Sequence, residues 1–575
     1  MATTQPLLPL EQFYWREQRH PERRYLIQPQ VGGQIEELTW GQVGEQARRA
    51  AAWLRQLELA PGSHIAIISK NCAHWIIADL AIWMAGHVSV PLYPNLTAES
   101  VRQILEHSEA SVAFIGKLDD WPAMAPGVPE GVRTVGLPLR PTGRFDHLWS
   151  DLQACTPITD SPTTRASQLA TIIYTSGTTG VPKGVMHSFG NFGFTGRKAV
   201  DLFAVREEDR GLSYLPLCHV AERIFVEVAS FYGGQTVFFA ESLDTFIHDI
   251  RRARPTLFFA VPRIWTKFQH GVFTRMSPRR VDLLMKLPIL GGVFKRKILA
   301  GLGLDAVRAG FSGGAPVPES LLGWYRRLGL EINEVYGMTE NCGYSHVGRP
   351  GLRKPGWIGR GNPGVEVRIS PEGEVQVRSQ AVMQGYYKEP AMTAETLTED
   401  GFLRTGDKGE QDGEGYLRLT GRIKEIFKTS KGKYVAPAPI ENRLAEHEQI
   451  ELVCVIGDGL PQPMALCVLS DADRTQERGG VEEHLRQLLE QVNERLDKHE
   501  KLKGLVIIGD LWAVENGFLT PTLKIRRAMI ERHYGSCFEQ WGDHGQAVLW
   551  HESKETGDGD LAADSGPRAA HSPAG

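Results

Sequence analysis

No CxxC pair occurs among the seven cysteines, which stand far apart at positions 72, 155, 218, 342, 454, 467 and 537. That spacing excludes a zinc ribbon and a thioredoxin motif, and scattered odd cysteines suit a reducing compartment. There is no basic excess either. Sixty-four lysines and arginines stand against 68 acids, a net charge of −4, without the basic stripe of a nucleic-acid binder. Long apolar runs are missing too. The most apolar stretch, residues 75–94, contains Asp79 and His87 and ends in Pro-Leu-Tyr-Pro. It reads as a buried helix entering a strand, not a membrane span. The first twenty residues lack a basic start followed by an apolar core, so no signal peptide is expected. These absences predict a soluble, cytoplasmic chain.

What is present is length and alternation. At 575 residues and 42% hydrophobic, the chain should form more than one domain. Residues 41–57 have helical apolar spacing, while 64–70 and 111–116 are short buried strands. Further apolar strands at 170–176, 256–262, 306–314 and 331–337 each run into a polar or glycine-rich turn. Strands alternating with helices predict parallel sheets covered on both faces, with ligands held beyond the strands' carboxyl ends. From Gly364 the pattern changes to period two around Pro-Glu-Gly at 371–373, an antiparallel hairpin. A smaller unit follows, with strands near 451–457, 464–470 and 504–509 and a charged helix over 481–499. The pattern divides the chain into a large domain over 1–421, a junction at 422–425, a smaller domain over 426–545 and a disordered tail over 546–575. No internal repeat is visible.

The loop from Tyr174 to Gly184, YTSGTTGVPKG, directly follows an apolar strand. Gly177, Gly180 and Gly184 let several backbone N–H groups point into one concavity. Thr175, Ser176, Thr178 and Thr179 add hydroxyls, and Lys183 adds a mobile cation. Such a nest suits phosphate oxygens; a solvated turn is the commoner fate of this composition. Its placement after a strand, with Ser188 beyond it as a helix cap, favours the ligand. It is neither a Walker A loop nor a kinase glycine loop, because the Gly-Lys-Ser/Thr and GxGxxG spacings are missing.

TSGTTGVPKG resembles the signature loop of the adenylate-forming superfamily, which includes acyl-CoA synthetases, luciferases and peptide-synthetase adenylation domains. In that family's order follow SGGAP at 312–316, VYGMTE at 335–340, RTGD at 404–407, GRIKE at 421–425 and PTLKIRR at 521–527. LPLCHVAER at 215–223, VPRIWTK at 261–267 and residues 426–442 most resemble long-chain fatty acyl-CoA synthetases. The resemblance, over about residues 38–535, implies an α/β fold. Its large N-terminal domain would have two parallel-rich αβαβα-type sheets plus a distorted antiparallel β-barrel, followed by a small mobile α+β C-terminal domain.

The resemblance also implies the chemistry. A carboxylate attacks the α-phosphate of ATP to give acyl-AMP, and coenzyme A then displaces AMP; both steps gather negative charge and need donors, cations and Mg2+. Thr175 to Thr179, Gly180 and Lys183 would hold pyrophosphate. Tyr336 and Gly337 would lie against adenine, with Gly313, Gly314 and Ala315 leaving room for the base. Thr339 would donate to the α-phosphate and Glu340 would bind Mg2+. Asp407 would accept both ribose hydroxyls, supported by Arg422. Lys524 would bridge carboxylate and phosphate, Lys424 would be the hinge and Gly432 would line the coenzyme A channel. His219 and Met338 would face the acyl pocket, though a core histidine is nearly as good a reading of His219. Glu222 and Arg223 are expected to pair.

No aspartate follows the His219 motif to hold an α-amino group, and the apolar run at 224–234 favours an aliphatic acid. The segment between VPRIW and FSGGAP looks shorter than in many long-chain enzymes, so a medium-chain or aryl acid:CoA ligase is the enzymatic alternative. A non-catalytic nucleotide-binding regulator is the alternative of another class. Residues 275–304 alternate basic and apolar clusters. They suit either peripheral contact with an anionic membrane or a helical hairpin packed on the larger domain.

Overall fold

The computed structural model describes residues 8–30, 32–176, 182–349, 351–474, 476–514, 516–520 and 524–551. The short apolar runs His64–Ile68, Val88–Leu92 and Val112–Ile115 have almost no polar alternation and lie almost wholly buried as parallel strands. They belong to an eight-stranded sheet, whose order is 385–386, 182–188, 169–176, 88–92, 64–68, 112–115, 133–136 and 147–148. Leu169–Ser176 and Pro182–Ser188 pair antiparallel, so the Ser/Thr/Gly loop is the tip of a hairpin. Ser188 caps the next helix, Phe189–Phe203, its side chain accepting from the backbone of Asn191. All twelve residues of the helix Ala73–Met84 are buried. No described helix is long and apolar enough to cross a membrane.

A second sheet of four strands joins Arg24–Pro29 in parallel to Thr236–Phe239 and places Ile35–Thr39 at its edge. The third sheet corrects the expected barrel. Leu257–Ala260, Ala309–Gly313 and Ile332–Tyr336 are parallel. Val335 and Tyr336 then pair antiparallel with Val347 and His346, so the antiparallel strands extend the parallel trio into one nine-stranded sheet. Its last strand, Glu366–Ile369, pairs with Glu374–Arg378 across the Pro-Glu-Gly turn. Among the described residues the sheet stays open, because the ladder ends there.

The C-terminal unit has a four-stranded sheet, in the order 450–456, 464–469, 505–508 and 548–551, covered by the helix Arg478–Glu494. The strand Val548–His551 corrects the expected tail. Its buried Val548 aligns with Leu505, and apolar side chains at 548–550 give the sheet a fourth strand. The rest of the tail, 552–575, lies outside the described residues. Residues 275–304 contain two helices, Pro278–Met285 and Leu290–Leu302. Val281, Met285 and Leu302 pack with Trp265, Trp324 and Tyr325.

Candidate active site

Two parallel strands of the nine-stranded sheet end side by side. Ala309–Gly313 runs out into Gly314 and Ala315, and Ile332–Tyr336 into Gly337. Close backbone approach demands glycine at two of these points. A Cβ on Gly313 would lie 2.8 Å from the Val335 carbonyl oxygen, and one on Gly337 would lie 2.4 Å from the Gly343 carbonyl carbon. Gly314, at φ +83°, turns the chain outward and leaves itself and Ala315 exposed.

Tyr336 donates its hydroxyl to Asp407 Oδ2 at 2.8 Å, while Arg422 Nε donates to Asp407 Oδ1 at 3.0 Å. Asp407 sits buried in the strand Leu403–Gln411, just after Gly406 turns at φ +70°. With one protein donor on each oxygen, the carboxylate keeps lone pairs for a ligand. Burial first, and the neighbouring Asp407 charge second, raise the Tyr336 phenol well above its ordinary pKa, so it stays a donor.

A second group of residues lies on the turn Thr339–Asn341. The Tyr386 hydroxyl donates to Glu340 Oε1 at 2.8 Å, and the Lys183 ammonium lies 5.8 Å from the centre of the same Tyr386 ring. His187 is buried, and burial lowers its pKa to about 4. A neutral imidazole can therefore donate from Nε2 to the Thr339 carbonyl oxygen at 2.7 Å, with Nδ1 facing the Cys342 thiol at 3.4 Å. Among the described residues no three His, Cys, Asp or Glu side chains gather into a metal site. The second Glu340 oxygen has no hydrogen bond among them, so a divalent cation here would take one carboxylate and complete its shell from phosphate oxygens and water.

The C-terminal unit reaches the same cleft through Lys524. A bridge between Leu519 and Ile525, with Thr520 N donating to Lys524 O at 2.8 Å, fixes the Lys524 backbone. Lys524 is exposed at the surface, yet enough protein lies around it for desolvation to lower its pKa. Arg422 lowers it further, while Asp407, Glu425 and Glu340 act to raise it. Its charge also reaches His219, whose pKa falls to about 4 mainly through burial and secondly through Lys524. Lys524 thus lies within electrostatic range of the Asp407 and Glu340 carboxylates and of His219. His219 caps a short helix, its Nδ1 accepting from the Ala221 backbone at 3.2 Å. Met338 is half-buried at the entry to the Thr339 turn.

Other candidates lie apart. Lys424 is exposed on the turn Ile423–Glu425 that joins the two units. Gly432 sits on an exposed turn at φ +76°, where any side chain would strain the backbone. Gly177, Thr178, Thr179 and Gly180 lie outside the described residues, as does the side chain of Ser176; Thr175 stands opposite Lys183 in the hairpin.

The expected Glu222–Arg223 pair is not formed. Three donors, Asn71 Nδ2, Ser213 Oγ and the Tyr214 backbone, reach Glu222 Oε1, and burial raises that carboxyl to about 8. Arg223 turns the other way, to Asp79 at 2.6 Å and Glu227 at 2.8 Å. A π-helical stretch over Arg223–Val228 sets this direction. Sequence motifs also missed Tyr386, His187 and the ion pair between Arg263 and Glu451, which ties the two units together. The only sequence signal for Tyr386 was the aromatic pair in GYYK after the hairpin.

The AMP-binding enzyme family model matches residues 13–387, and the AMP-binding enzyme C-terminal domain matches 424–540. The chain is 30% identical over 565 residues to the long-chain-fatty-acid–CoA ligase FadD15 of Mycobacterium bovis, covering 89% of this chain and 94% of that one. It is 29% identical to long-chain-fatty-acid–CoA ligase 6 of Rattus norvegicus, covering 88% and 82%. Among solved structures, the anthranilate CoA ligase AuaEII in complex with anthranoyl-AMP superposes with a TM-score of 0.77 at 20% identity, covering 94% of this chain and all of that one. O-succinylbenzoate coenzyme A synthetase from Bacillus subtilis, in complex with AMP, gives 0.70 at 23%, covering 90% and 98%. The chain belongs to the AMP-binding enzyme family, within the adenylate-forming superfamily, and in sequence is most like its long-chain fatty acid–CoA ligases.

Proposed function

We propose that this chain is a fatty acid–CoA ligase that converts a long-chain aliphatic acid, ATP and coenzyme A to acyl-CoA, AMP and pyrophosphate. The observation that carries the reading is the position of Lys524. A lysine from the C-terminal unit is within electrostatic range of the Asp407 and Glu340 carboxylates and of His219. A cation there meets the charge that develops when a carboxylate attacks an α-phosphate.

The residues divide the work. Asp407, oriented by Tyr336 and Arg422, accepts the ribose hydroxyls, and the Gly313–Ala315 and Tyr336–Gly337 strand ends receive the base. Thr339 donates to the α-phosphate, while Thr175 to Gly180 and Lys183 take the pyrophosphate. Mg2+ fits Glu340, fixed by Tyr386, and when bound it neutralises phosphate charge. His219 and Met338 border the acyl side. Rotation about Lys424 then brings the Gly432 turn toward the cleft for the coenzyme A step. The partition is 1–421, a hinge at 422–425 and a mobile unit that continues to the strand Val548–His551. The enzyme would work in the cytoplasm, at the periphery of the membrane that dissolves its acid.

An acid panel tests this. ATP- and coenzyme A-dependent AMP release should rise with aliphatic chain length before falling, since each buried methylene is worth about 0.8 kcal/mol. Preference for a short aliphatic or aryl acid would assign the chain to the medium-chain or aryl alternative. ATP binding without pyrophosphate exchange would make it a regulator.

A further inference from the structure

Thirteen large apolar side chains are exposed on the described surface, and five of them stand within residues 283–293. Leu283, Leu287, Ile289, Leu290 and Val293 occupy the turn between the helices Pro278–Met285 and Leu290–Leu302 and the adjoining helix ends. Ile289 is 90% exposed and Leu290 66%. Exposed apolar patches with a polar rim mark interaction sites. The backbone points the same way, because Ile289 has φ +61° and ψ −58°, which a β-branched residue rarely adopts. Strain that holds an isoleucine out into water points to a partner that covers it.

The surroundings fix the chemistry of that partner. Residues 275–304 carry seven basic side chains against one acid, in a chain whose net charge is −4. Beside the apolar tip opens a surface cavity of about 420 Å³, lined by Met285, Lys286, Lys295, Arg327 and Asp282. Asp282 is the one acid in that lining, and it pairs loosely with Arg327 at 3.6 Å, which leaves the lysines in excess. Apolar residues that can enter acyl chains, next to cations that can hold a phosphate, match an anionic bilayer. Meanwhile Val281 and Met285 anchor the same helix to Trp265 and Trp324 in the core. The tip therefore rests on a rigid base.

We infer that this helical hairpin docks the protein on anionic membrane, inserting Ile289, Leu290 and Val293 among the acyl chains and seating a lipid phosphate between Lys286, Lys295 and Arg327. The inference rests on the ligase reading only for the purpose of docking, which is to bring the cleft to a membrane-dissolved acid.

Flotation of the full chain with phosphatidylglycerol-containing and pure phosphatidylcholine vesicles, at low and high salt, tests it. Binding to the anionic vesicles should exceed binding to the neutral ones at least tenfold at low salt. Ile289→Glu/Leu290→Glu should abolish it, and Lys286→Gln/Lys295→Gln should lower it severalfold and flatten its salt dependence. Thermal melting of both exposed-surface variants should match the parent. Equal recovery with both lipids, or binding that Ile289→Glu/Leu290→Glu leaves intact, overturns the inference. So does self-association in sedimentation that the same variant abolishes while vesicle binding is absent. Pyrophosphate exchange without vesicles, run in parallel, separates the two readings. Failure to float with exchange intact removes only the docking surface; flotation without exchange removes only the ligase.

Discussion

Tyr386 donates its hydroxyl to Glu340 Oε1 at 2.8 Å while the Lys183 ammonium lies 5.8 Å from the centre of its ring. One aromatic side chain thus orients the acid proposed for Mg2+ and contacts the cation proposed for pyrophosphate. Tyr386→Phe keeps the ring and loses the donor. A hydrogen bond to a charged group is worth about 1.5–3 kcal/mol, so the first half-reaction should slow roughly tenfold or more. The loss should ease as Mg2+ is raised. A rate unchanged at every Mg2+ concentration would remove Tyr386 from the site.

Much of this arrangement was legible in the sequence, and the gaps have physical reasons. Short apolar strands ending in glycine turns announced the parallel sheets, because burial on both faces removes polar alternation. The barrel was misread, since a strand pattern does not say whether Val335 and Tyr336 will pair onward with Val347 and His346. Asp407, Tyr336 and Arg422 stood in separate motifs, and only the fold puts one carboxylate between the other two. His187 gave no signal. It lies in an ordinary strand, and its link is to a backbone carbonyl 152 positions away. Adjacent opposite charges suggested the Glu222–Arg223 pair, but a π-helical turn sends the two side chains apart.

Glu222 predicts a pH dependence of stability. Burial raises its carboxyl from 4.5 to about 8 in the folded chain. Between those values the folded state binds the proton more tightly, so stability is full below pH 4.5 and falls as pH rises through 8. Each tenfold difference in proton affinity is worth about 1.4 kcal/mol. Glu222→Gln, whose amide imitates the neutral acid, should leave stability at pH 5 nearly unchanged and raise it at pH 9. Denaturant melts across that range check the slope. An unchanged slope would mean that Glu222 is ionised in the fold.

Arg223, Asp79 and Glu227 are fully buried together. Among the described residues Asp79 Oδ1 and Glu227 Oε1 accept from no donor, and the two carboxyls are near enough to influence each other directly. One cation facing two acids is balanced when a proton sits between them, and burial raises both carboxyl pKa values in that direction. Arg223→Ala should therefore destabilise by about 3–5 kcal/mol. Glu227→Gln, which replaces that proton by an amide N–H, should cost about 1 kcal/mol or less. Equal losses in urea unfolding would mean that both acids are charged.

Lys424 lies on the turn joining the two units. Lys424→Pro fixes φ and restricts rotation there. Acyl-AMP formation should keep its rate, and transfer to coenzyme A should slow at least tenfold. Because Gly432 has φ +76°, a side chain there would strain its turn as well as enter the proposed coenzyme A channel, so the hinge variant is the cleaner probe. A hinge elsewhere in the chain would leave transfer unaffected.

Single-turnover kinetics of both half-reactions in Lys524→Ala measures the central claim most directly. Losing a preorganised cation typically costs about 10²–10³ in rate. Acyl-AMP formation should fall by that factor, while prepared acyl-AMP should pass to coenzyme A at near the parent rate. Because desolvation and Arg422 lower the Lys524 pKa, the parent's first step should decline with rising pH earlier than an ordinary lysine would allow. Lys524→Arg should move that alkaline limb upward. Equal slowing of both half-reactions in Lys524→Ala would contradict the account.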